Sequence, residues 1–304
     1  MTSPSILERA LSLLVAPAPE PLLREILFPS DLSPAADAAL GHARLLAERF
    51  QALLVLYHAV EVADADEGRA FGDPARERAR RRERRAHEHL LTQAERIQTR
   101  RDVRIEPAAA VASAVTALVH TMRPDLTVMA THGRRGLSHL VLGSVTESVL
   151  EQSDGPVLCV RQPEHGVALP YRRLLIPTDL TDDSRRVFPL AAAVARAFSA
   201  EVLALHVPAV LMGRTTAGVT EAVEDTVPSE QALAAFLMPE FLGVRVVPRI
   251  LFGATWGRIL DAAHDERVDV IAMSTHHRNS LSDRVLGTHA ERVVREAPCP
   301  VLVV

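Results

Sequence analysis

The 304-residue sequence is poor in cysteine and in aromatic residues. Its two cysteines, Cys159 and Cys299, form no CxxC pair, and 4% of its residues are aromatic. Two cysteines without such spacing exclude a disulfide scaffold and favour small buried side chains in a reducing compartment. The shortage of aromatic rings weakens any interpretation as a single-strand nucleic-acid binder, because such proteins stack bases on aromatic side chains.

Long hydrophobic runs and a large excess of one charge are missing as well. No apolar run approaches the ~20 residues that a transmembrane helix needs. The apolar segment 10–16 follows Glu8 and Arg9 rather than the basic region of a signal peptide. The net charge is −4 and the pI about 6.4, so no general basic field attracts nucleic acid. These features predict a cytoplasmic protein with no membrane and no nucleic-acid partner.

The sequence does contain a regular alternation of short apolar runs and longer amphipathic segments. Hydrophobic residues make up 48% and charged residues 24%, an ordinary globular composition, and the length suggests two domains. In the first half, one predicted strand ends near residue 28, and four more lie at 53–58, 103–107, 126–130 and 156–160. Predicted helices lie between them at roughly 34–50, 74–100 and 111–119. This order predicts an α/β fold with a parallel sheet covered by helices on both faces.

The helix predicted at 74–100 begins with a run of arginines interleaved with glutamates. Such a run could contact nucleic acid or an acidic partner, although a solvated face with i,i+4 ion pairs is its commoner meaning. The side chains predicted to face the sheet are Leu90, Leu91, Ala94 and Ile97.

The stretch after the fourth predicted strand has the order expected of a phosphate-binding loop. The predicted strand at 126–130 is followed by Gly133, which can take a positive φ where the chain leaves the strand. A new helical pattern begins at Gly143-Ser144. The first N–H groups of a helix are unpaired and carry partial positive charge, so they attract anions. Gly143 would let a phosphate approach the main chain, and Ser144 and Thr146 would add hydroxyl donors. The absence of Gly-Lys-Ser/Thr excludes a Walker loop.

The second half of the chain repeats this order of elements. Residues 174–181 match residues 26–33 at an offset of 148, and residues 269–276 match residues 125–132 at an offset of 144. Gly287-Thr288 then stands where Gly143-Ser144 stands in the first half. One such loop could arise by coincidence, but two copies with matching strand ends indicate a duplication.

These residues resemble the nucleotide loop of the ATP-binding universal stress proteins. The pattern of that family is Gly-x-x-Gly, nine residues, then Gly-Ser/Thr. Here Ala130-Thr131-His132-Gly133 is followed by nine residues and Gly143-Ser144, so that Ala130 replaces the first glycine. The resemblance covers nearly the whole chain. It implies two tandem doubly wound domains with five-stranded parallel sheets, Rossmann-like and similar to the adenine nucleotide alpha hydrolases.

The resemblance also implies where the domains divide. We expect an N-terminal extension at 1–22 with a short helix, a first domain at 23–162, a linker at 163–170 and a second domain at 171–304.

The same resemblance implies which residues meet the ligand, ATP together with Mg²⁺. The Asp31 carboxylate would accept a hydrogen bond from the adenine or its sugar, although a carboxylate just before Ser33 could equally cap the next helix. The main chain of Ala59 would face the adenine edge, and Arg134 could add positive charge near the phosphates. The complete expected site is Pro29, Ser30, Asp31, Ala59, Met129, Ala130, Gly133, Arg134, Gly143, Ser144, Val145 and Thr146.

The two halves differ where the ligand would bind. Ala109 occupies a position that is often glycine in the family, whereas the second half has Gly253 there. His277 replaces Gly133, and a residue with a Cβ resists positive φ by roughly 1 kcal/mol. Neighbouring histidines usually point apart, and no carboxylate or cysteine completes a metal site beside His277. The second site is therefore expected to bind ATP weakly or not at all.

The sequence predicts a tandem universal stress protein that binds ATP in its first domain and acts as a nucleotide-dependent stress-response regulator rather than an enzyme. It has no Gly-x-Ser-x-Gly elbow and no evident general base near the loop, so any hydrolysis should be slow. The alternative is a stress-response interaction scaffold that binds no nucleotide. The last strands, 157–160 and 301–303, are apolar edges expected to pair within the chain, and two chains could associate as a homodimer.

Overall fold

A computed structural model describes residues 22–61, 74–131, 142–161, 169–208, 211–214, 220–223, 227–238, 240–275 and 288–304. Nearly all of the predicted N-terminal extension and most of the predicted linker lie outside these ranges. So do the loop at 132–141 and its counterpart in the second half at 276–287.

In the first half, strands alternate with helices as the sequence predicts. The elements are β1 (Glu25–Pro29), α1 (Pro34–Phe50), β2 (Leu53–Glu61), α2 (Pro74–Ala94), β3 (Arg101–Ala108), α3 (Val111–Met122), β4 (Leu126–Ala130), α4 (Ser144–Gln152) and β5 (Val157–Val160).

Within the described ranges, the second half follows the same plan, with a 3₁₀ turn and an antiparallel strand pair in addition. Its elements are β6 (Arg173–Pro177), a 3₁₀ turn (Asp183–Val187), α5 (Phe188–Phe198), β7 (Glu201–His206), β8 (Leu211–Arg214), β9 (Thr220–Val223), α6 (Glu230–Leu237), β10 (Val246–Ile250), α7 (Thr255–Asp265), β11 (Val270–Met273), α8 (Thr288–Glu296) and β12 (Val301–Val303). The antiparallel pair β8–β9 was not predicted. The predicted α/β fold class is confirmed.

Ten strands form one sheet in the order β10-β7-β6-β11-β12-β5-β4-β1-β2-β3. Within each half the strands pair in parallel, and the halves meet where β12 runs antiparallel to β5, with Val301 opposite Cys159. The predicted pairing of the last strands within the chain is confirmed. The two outer strands, β3 and β10, carry charged residues and the prolines Pro107 and Pro248, which discourage further strand pairing.

Each face of the sheet is covered by one layer of helices. Apolar side chains of α1, α2, α5 and α6 pack on one face, and those of α3, α4, α7 and α8 pack on the other. Successive strand residues alternate between these layers, so Ile26 and Phe28 face the first and Leu27 faces the second. Burial on both faces explains why the strands are continuous apolar runs.

Helix α1 begins and ends where the sequence predicts. The Ser33 hydroxyl accepts the N–H of Ala36 at 3.2 Å, and Pro34 occupies the first turn, whose geometry its ring favours. Gln51 ends the helix in the left-handed conformation, with φ 55°.

Helix α2 differs from its prediction in length and in one side chain. It ends at Ala94 rather than near residue 100. Leu90, Ala94 and Ile97 are buried as predicted, but Leu91 is 42% exposed. Each helical residue is rotated by about 100° from the one before it, so Leu90 and Leu91 cannot both face the sheet.

An aspartate in each half ties the start of the fourth strand to the start of the first. Oδ2 of Asp125 accepts the N–H groups of Arg24 at 2.7 Å and Glu25 at 2.9 Å. Asp269 accepts the N–H groups of residues 172–173 at 2.6 and 2.8 Å. The duplication therefore extends to individual side-chain hydrogen bonds.

The halves also pack together through α1. His42, on α1, is fully buried, and its Nδ1 lies 2.7 Å from the hydroxyl of Tyr171 in the second half. Its Nε2 has no hydrogen-bond partner among the described residues. Burial lowers the pKa of His42 to about 4, so the ring is neutral at pH 7.

Candidate functional site

The strand order of the first half predicts a ligand-binding crevice at the carboxyl ends of β1 and β4. These strands are neighbours in the sheet. β1 continues into α1 on one face, whereas β4 precedes α4, which packs on the other. The chain therefore diverges to opposite faces at this point, which is where doubly wound folds bind their ligands.

A tight turn closes the β1 side of the crevice, directly after Pro29. Ser30 is buried, its N–H donates to the Tyr57 carbonyl at 2.8 Å, and its hydroxyl accepts the N–H of Leu32 at 3.1 Å. Asp31 Oδ1 accepts the N–H of Ser33 at 3.0 Å. The local turn therefore fixes the Asp31 carboxylate at the end of β1, whereas the helix cap itself is the Ser33 hydroxyl.

A histidine within β2 holds this turn in place. Nδ1 of His58 lies 2.7 Å from the carbonyl oxygen of Ser30, so Nδ1 carries the proton and donates it. In the second half Nδ1 of His206 lies 2.8 Å from the carbonyl of Thr178. This function of the two histidines is not among the sequence-based predictions. A polar residue closing an apolar strand at the same place in both halves was the available signal.

The main chain of Ala59 lies on the crevice side of β2. The Tyr57 carbonyl faces β1, and because main-chain groups alternate along a strand, those of Ala59 face the same side. The last paired residue of β1 is Pro29, opposite Tyr57. The N–H and carbonyl of Ala59 therefore lie just beyond the end of β1.

The β4 side of the crevice is tied directly to the start of α4. Met129 is buried in β4, and the Ala130 carbonyl accepts the hydroxyl of Thr146 at 2.9 Å. The Thr131 carbonyl accepts the N–H of Gly143 at 2.8 Å. These two bonds set the position of the first turn of α4 relative to the sheet.

Contacts within the chain favour a glycine at position 143. Its φ is −64°, which any residue can adopt, but a Cβ there would lie only 3.2 Å from the Thr131 carbonyl oxygen. The sequence-based explanation, access for a phosphate, is therefore not the only reason for a glycine at this position.

Helix α4 begins without a side-chain cap among the described residues. Gly143 is its N-cap, and the first intrahelical bond joins the Glu147 N–H to the Gly143 carbonyl at 2.9 Å. The N–H groups of Ser144, Val145 and Thr146 precede that bond and have no acceptor within the helix. Ser144 is exposed and Val145 half-buried, so this end of the helix is open to an anion.

Thr146 has a different task from the one expected. It was predicted to offer a hydroxyl donor to the ligand, but its side chain is buried and its hydroxyl donates to Ala130. Thr146 therefore positions the helix start, and Ser144 has the exposed hydroxyl in this turn.

Of the other expected site residues, Gly133 and Arg134 lie outside the described residues. The rest come from the ends of three neighbouring strands and the start of α4, all at the carboxyl edge of the sheet.

The second half repeats the turn after its first strand but not the other side of the crevice. The Leu180 N–H donates to the Thr178 hydroxyl at 3.0 Å, as in the first half. Ser274, however, replaces Ala130, and its hydroxyl accepts the Val187 N–H at 3.2 Å. Ala290 replaces Thr146, so the second half lacks the hydroxyl that positions α4 in the first half.

The two halves also differ in backbone conformation after their third strands. Gly253 has φ 135°, and a Cβ there would lie 2.8 Å from Nε of Arg258. Ala109, at the equivalent position, has no positive φ. A glycine is therefore required in the second half and not in the first, so the departure from the family pattern at Ala109 creates no backbone strain.

No group of three or more His, Cys, Asp or Glu side chains within the described ranges is arranged to hold a metal ion. Among the helices described, none is both long and apolar enough to cross a membrane.

Comparison with known proteins identifies the family. A model described as the universal stress protein family matches residues 23–161 and again residues 170–304. Universal stress protein MJ0531 of Methanocaldococcus jannaschii is 34% identical over 139 residues, covering 44% of this chain and 82% of that protein. The universal stress protein in the QAH/OAS sulfhydrylase 3′ region of Thermus aquaticus is 31% identical over 142 residues, covering 44% of this chain and 98% of that protein.

A solved structure extends the similarity of fold to both halves. The crystal structure of a universal stress protein from Archaeoglobus fulgidus DSM 4304 aligns with a TM-score of 0.65 and 19% identity, covering 92% of this chain and 97% of that one. Two family matches that together span nearly the whole sequence, on one shared sheet, show that this chain belongs to the universal stress protein family as a tandem member.

Proposed function

We propose that the first half binds ATP, with Mg²⁺ brought by the nucleotide, and that the chain acts as a nucleotide-dependent regulator in the stress response. The observation that carries this proposal is the open N-terminus of α4, which faces a crevice bordered on its other side by Asp31. Unpaired helix N–H groups favour phosphate oxygens, and a fixed carboxylate can accept hydrogen bonds from the sugar or the base.

Each part of the crevice has a role in this proposal. The N–H groups of Ser144, Val145 and Thr146 would hold phosphate oxygens, and the Ala59 main chain would meet the adenine edge. Gly133 and Arg134 follow β4 in the sequence and would complete the phosphate site. Among the described residues, Asp31 is the carboxylate that we place at the crevice, and it already accepts a main-chain N–H, so we assign no general base and expect regulation by binding rather than turnover.

The second half would bind ATP weakly or not at all. The Ser274 hydroxyl bridges the end of β11 to the turn before α5, and His277 replaces the loop glycine. We propose that this half, divided from the first by the linker at 163–170, serves mainly as the partner that pairs with β5.

The test uses one substitution at matched positions of the two halves. Ser144 and Thr288 are both exposed and are both the first residue of their helix. An aspartate at either position favours the helix dipole, so both variants should fold. In the first half, however, the new carboxylate would repel the triphosphate.

Isothermal titration with MgATP should therefore give at least a tenfold weaker affinity for Ser144→Asp and an unchanged affinity for Thr288→Asp. Equal affinities in wild type and Ser144→Asp would refute the site. Saturating MgATP that gives no binding to the wild type would instead favour the nucleotide-free scaffold, which agrees with the internal hydrogen bond of Thr146.

A further inference from the structure

The outer surface of the first half has a polar groove between α1 and α2, separate from the crevice. It encloses about 630 Å³. The side chains that line it include Asp37 and Arg44 from α1, Arg85, His89 and Gln93 from α2, and Arg96 just after α2.

Basic side chains are concentrated on the groove side of α2. Residues 85, 89 and 92 recur at helical spacing and share one face of α2, which Arg81 and Arg82 extend by one turn, and Arg96 lines the groove just beyond the helix end. Residues 74–101 contain ten arginines and four glutamates, a balance of +6, in a chain whose net charge is −4. The charge of this segment is thus opposite in sign to that of the whole protein.

Neither of the two carboxylates that line the groove, Asp37 and Glu88, pairs with an arginine among the described residues. Asp37 accepts a hydrogen bond from Nε2 of Gln93 and lies 3.5 Å from Nε2 of His89, so it contacts no arginine. Arg85 and Arg96 are exposed and have no hydrogen-bond or ion-pair partner for their side chains in the described part of the chain. Two guanidinium groups at the groove are therefore available to an incoming carboxylate.

We infer that this groove binds an acidic segment of a partner protein. Guanidinium groups hold carboxylates in a bidentate geometry, and Arg85 and Arg96 line the groove at positions 11 residues apart in the sequence, so they can take separate acidic residues. Nucleic acid fits less well, because α2 has no Phe, Tyr or Trp on which a base could stack. Asp37 and Glu88 would also repel a continuous row of phosphates, whereas a peptide can place its carboxylates between them.

The test compares charge reversals on two sides of the same helix. Arg85→Glu with Arg96→Glu changes the groove side. Arg80→Glu with Arg84→Glu makes the same change in net charge on residues whose helical positions point away from the groove. A short fluorescein-labelled peptide rich in glutamate serves as the probe, its binding is measured by fluorescence anisotropy without nucleotide, and circular dichroism checks that each variant is folded.

The wild type should bind the peptide, with affinity falling as salt rises. The groove variant should lose about tenfold or more, because two ion pairs become two repulsions, and the control variant about twofold or less. Equal losses in both variants, or no binding by the wild type, would overturn the inference. The inference would also be overturned if single-stranded DNA bound the wild type more tightly than the peptide does and bound the groove variant more weakly than the wild type. None of these outcomes depends on ATP binding, so the proposal for the crevice stands or fails separately.

Discussion

His42 makes the stability of the chain depend on pH in a way that the structure specifies. The ring is buried between α1 and the start of the second half, with Nδ1 bonded to Tyr171 and Nε2 without a partner in the described residues. Protonation would place an uncompensated charge there, which is why burial lowers the pKa of His42 from 6.5 to about 4.

The direction and size of the effect follow from linkage. The unfolded chain takes up a proton at His42 below pH 6.5, whereas the folded chain does so only near pH 4. The stability that neutral His42 contributes is therefore complete above pH 6.5 and is lost as the pH falls towards 4. The difference in pKa corresponds to about 3 kcal/mol, most of it lost by pH 4.5.

The assay compares wild type with His42→Phe, which fills a similar volume but cannot titrate. Urea unfolding followed by circular dichroism at pH 7.5 and at pH 4.5 gives the change in unfolding free energy for each protein. The wild type should lose about 2.5 kcal/mol more than the variant over this interval. Replacing the exposed His120 by glutamine should leave the wild-type loss unchanged. If wild type and His42→Phe lose equal stability, His42 is not a buried neutral group and the reasoning is wrong.

Three further predictions concern stability and are checked by the same urea unfolding at pH 7.5. Asp125→Ala should cost about 1–3 kcal/mol, because two main-chain N–H groups lose their acceptor, and Asp269→Ala should cost a similar amount; a neutral result at both would show that these bonds contribute nothing. Thr146→Val should cost about 1 kcal/mol through the lost bond to the Ala130 carbonyl, and an unchanged midpoint would contradict that role. Gly253→Ala should cost about 1–3 kcal/mol because of its φ of 135°, whereas Ala109→Gly should cost less than about 1 kcal/mol; equal effects would contradict the difference in backbone.

The fold could be predicted because its signals are local and repeated. Apolar runs bounded by proline or glycine predicted the strands. The helix predicted to begin at residue 34 begins at Pro34 in the structure, directly after its N-cap Ser33. The pairing of β5 with β12 followed from two apolar edges in one chain. The strands β8–β9 were missed because they lie in the part of the second half that has no counterpart at the same offset in the first.

Side-chain roles were harder to predict because they depend on contacts between distant parts of the sequence. Asp125 and Arg24 are 101 residues apart, and no local sequence pattern predicts the hydrogen bond between them. Thr146 looked like a ligand donor because a helix start favours hydroxyls, yet the β4 carbonyl uses that hydroxyl. The role of His58 could not be predicted because it depends on the position of the Ser30 carbonyl, 28 residues earlier in the chain.

We propose that the first half of the chain binds ATP and that the second half does not. Native mass spectrometry of the full chain with MgATP counts bound nucleotides directly. The wild type and Thr288→Asp should each carry one nucleotide per chain, and Ser144→Asp should carry none. Two nucleotides on the wild type, or one that is kept by Ser144→Asp and lost by Thr288→Asp, would contradict the account.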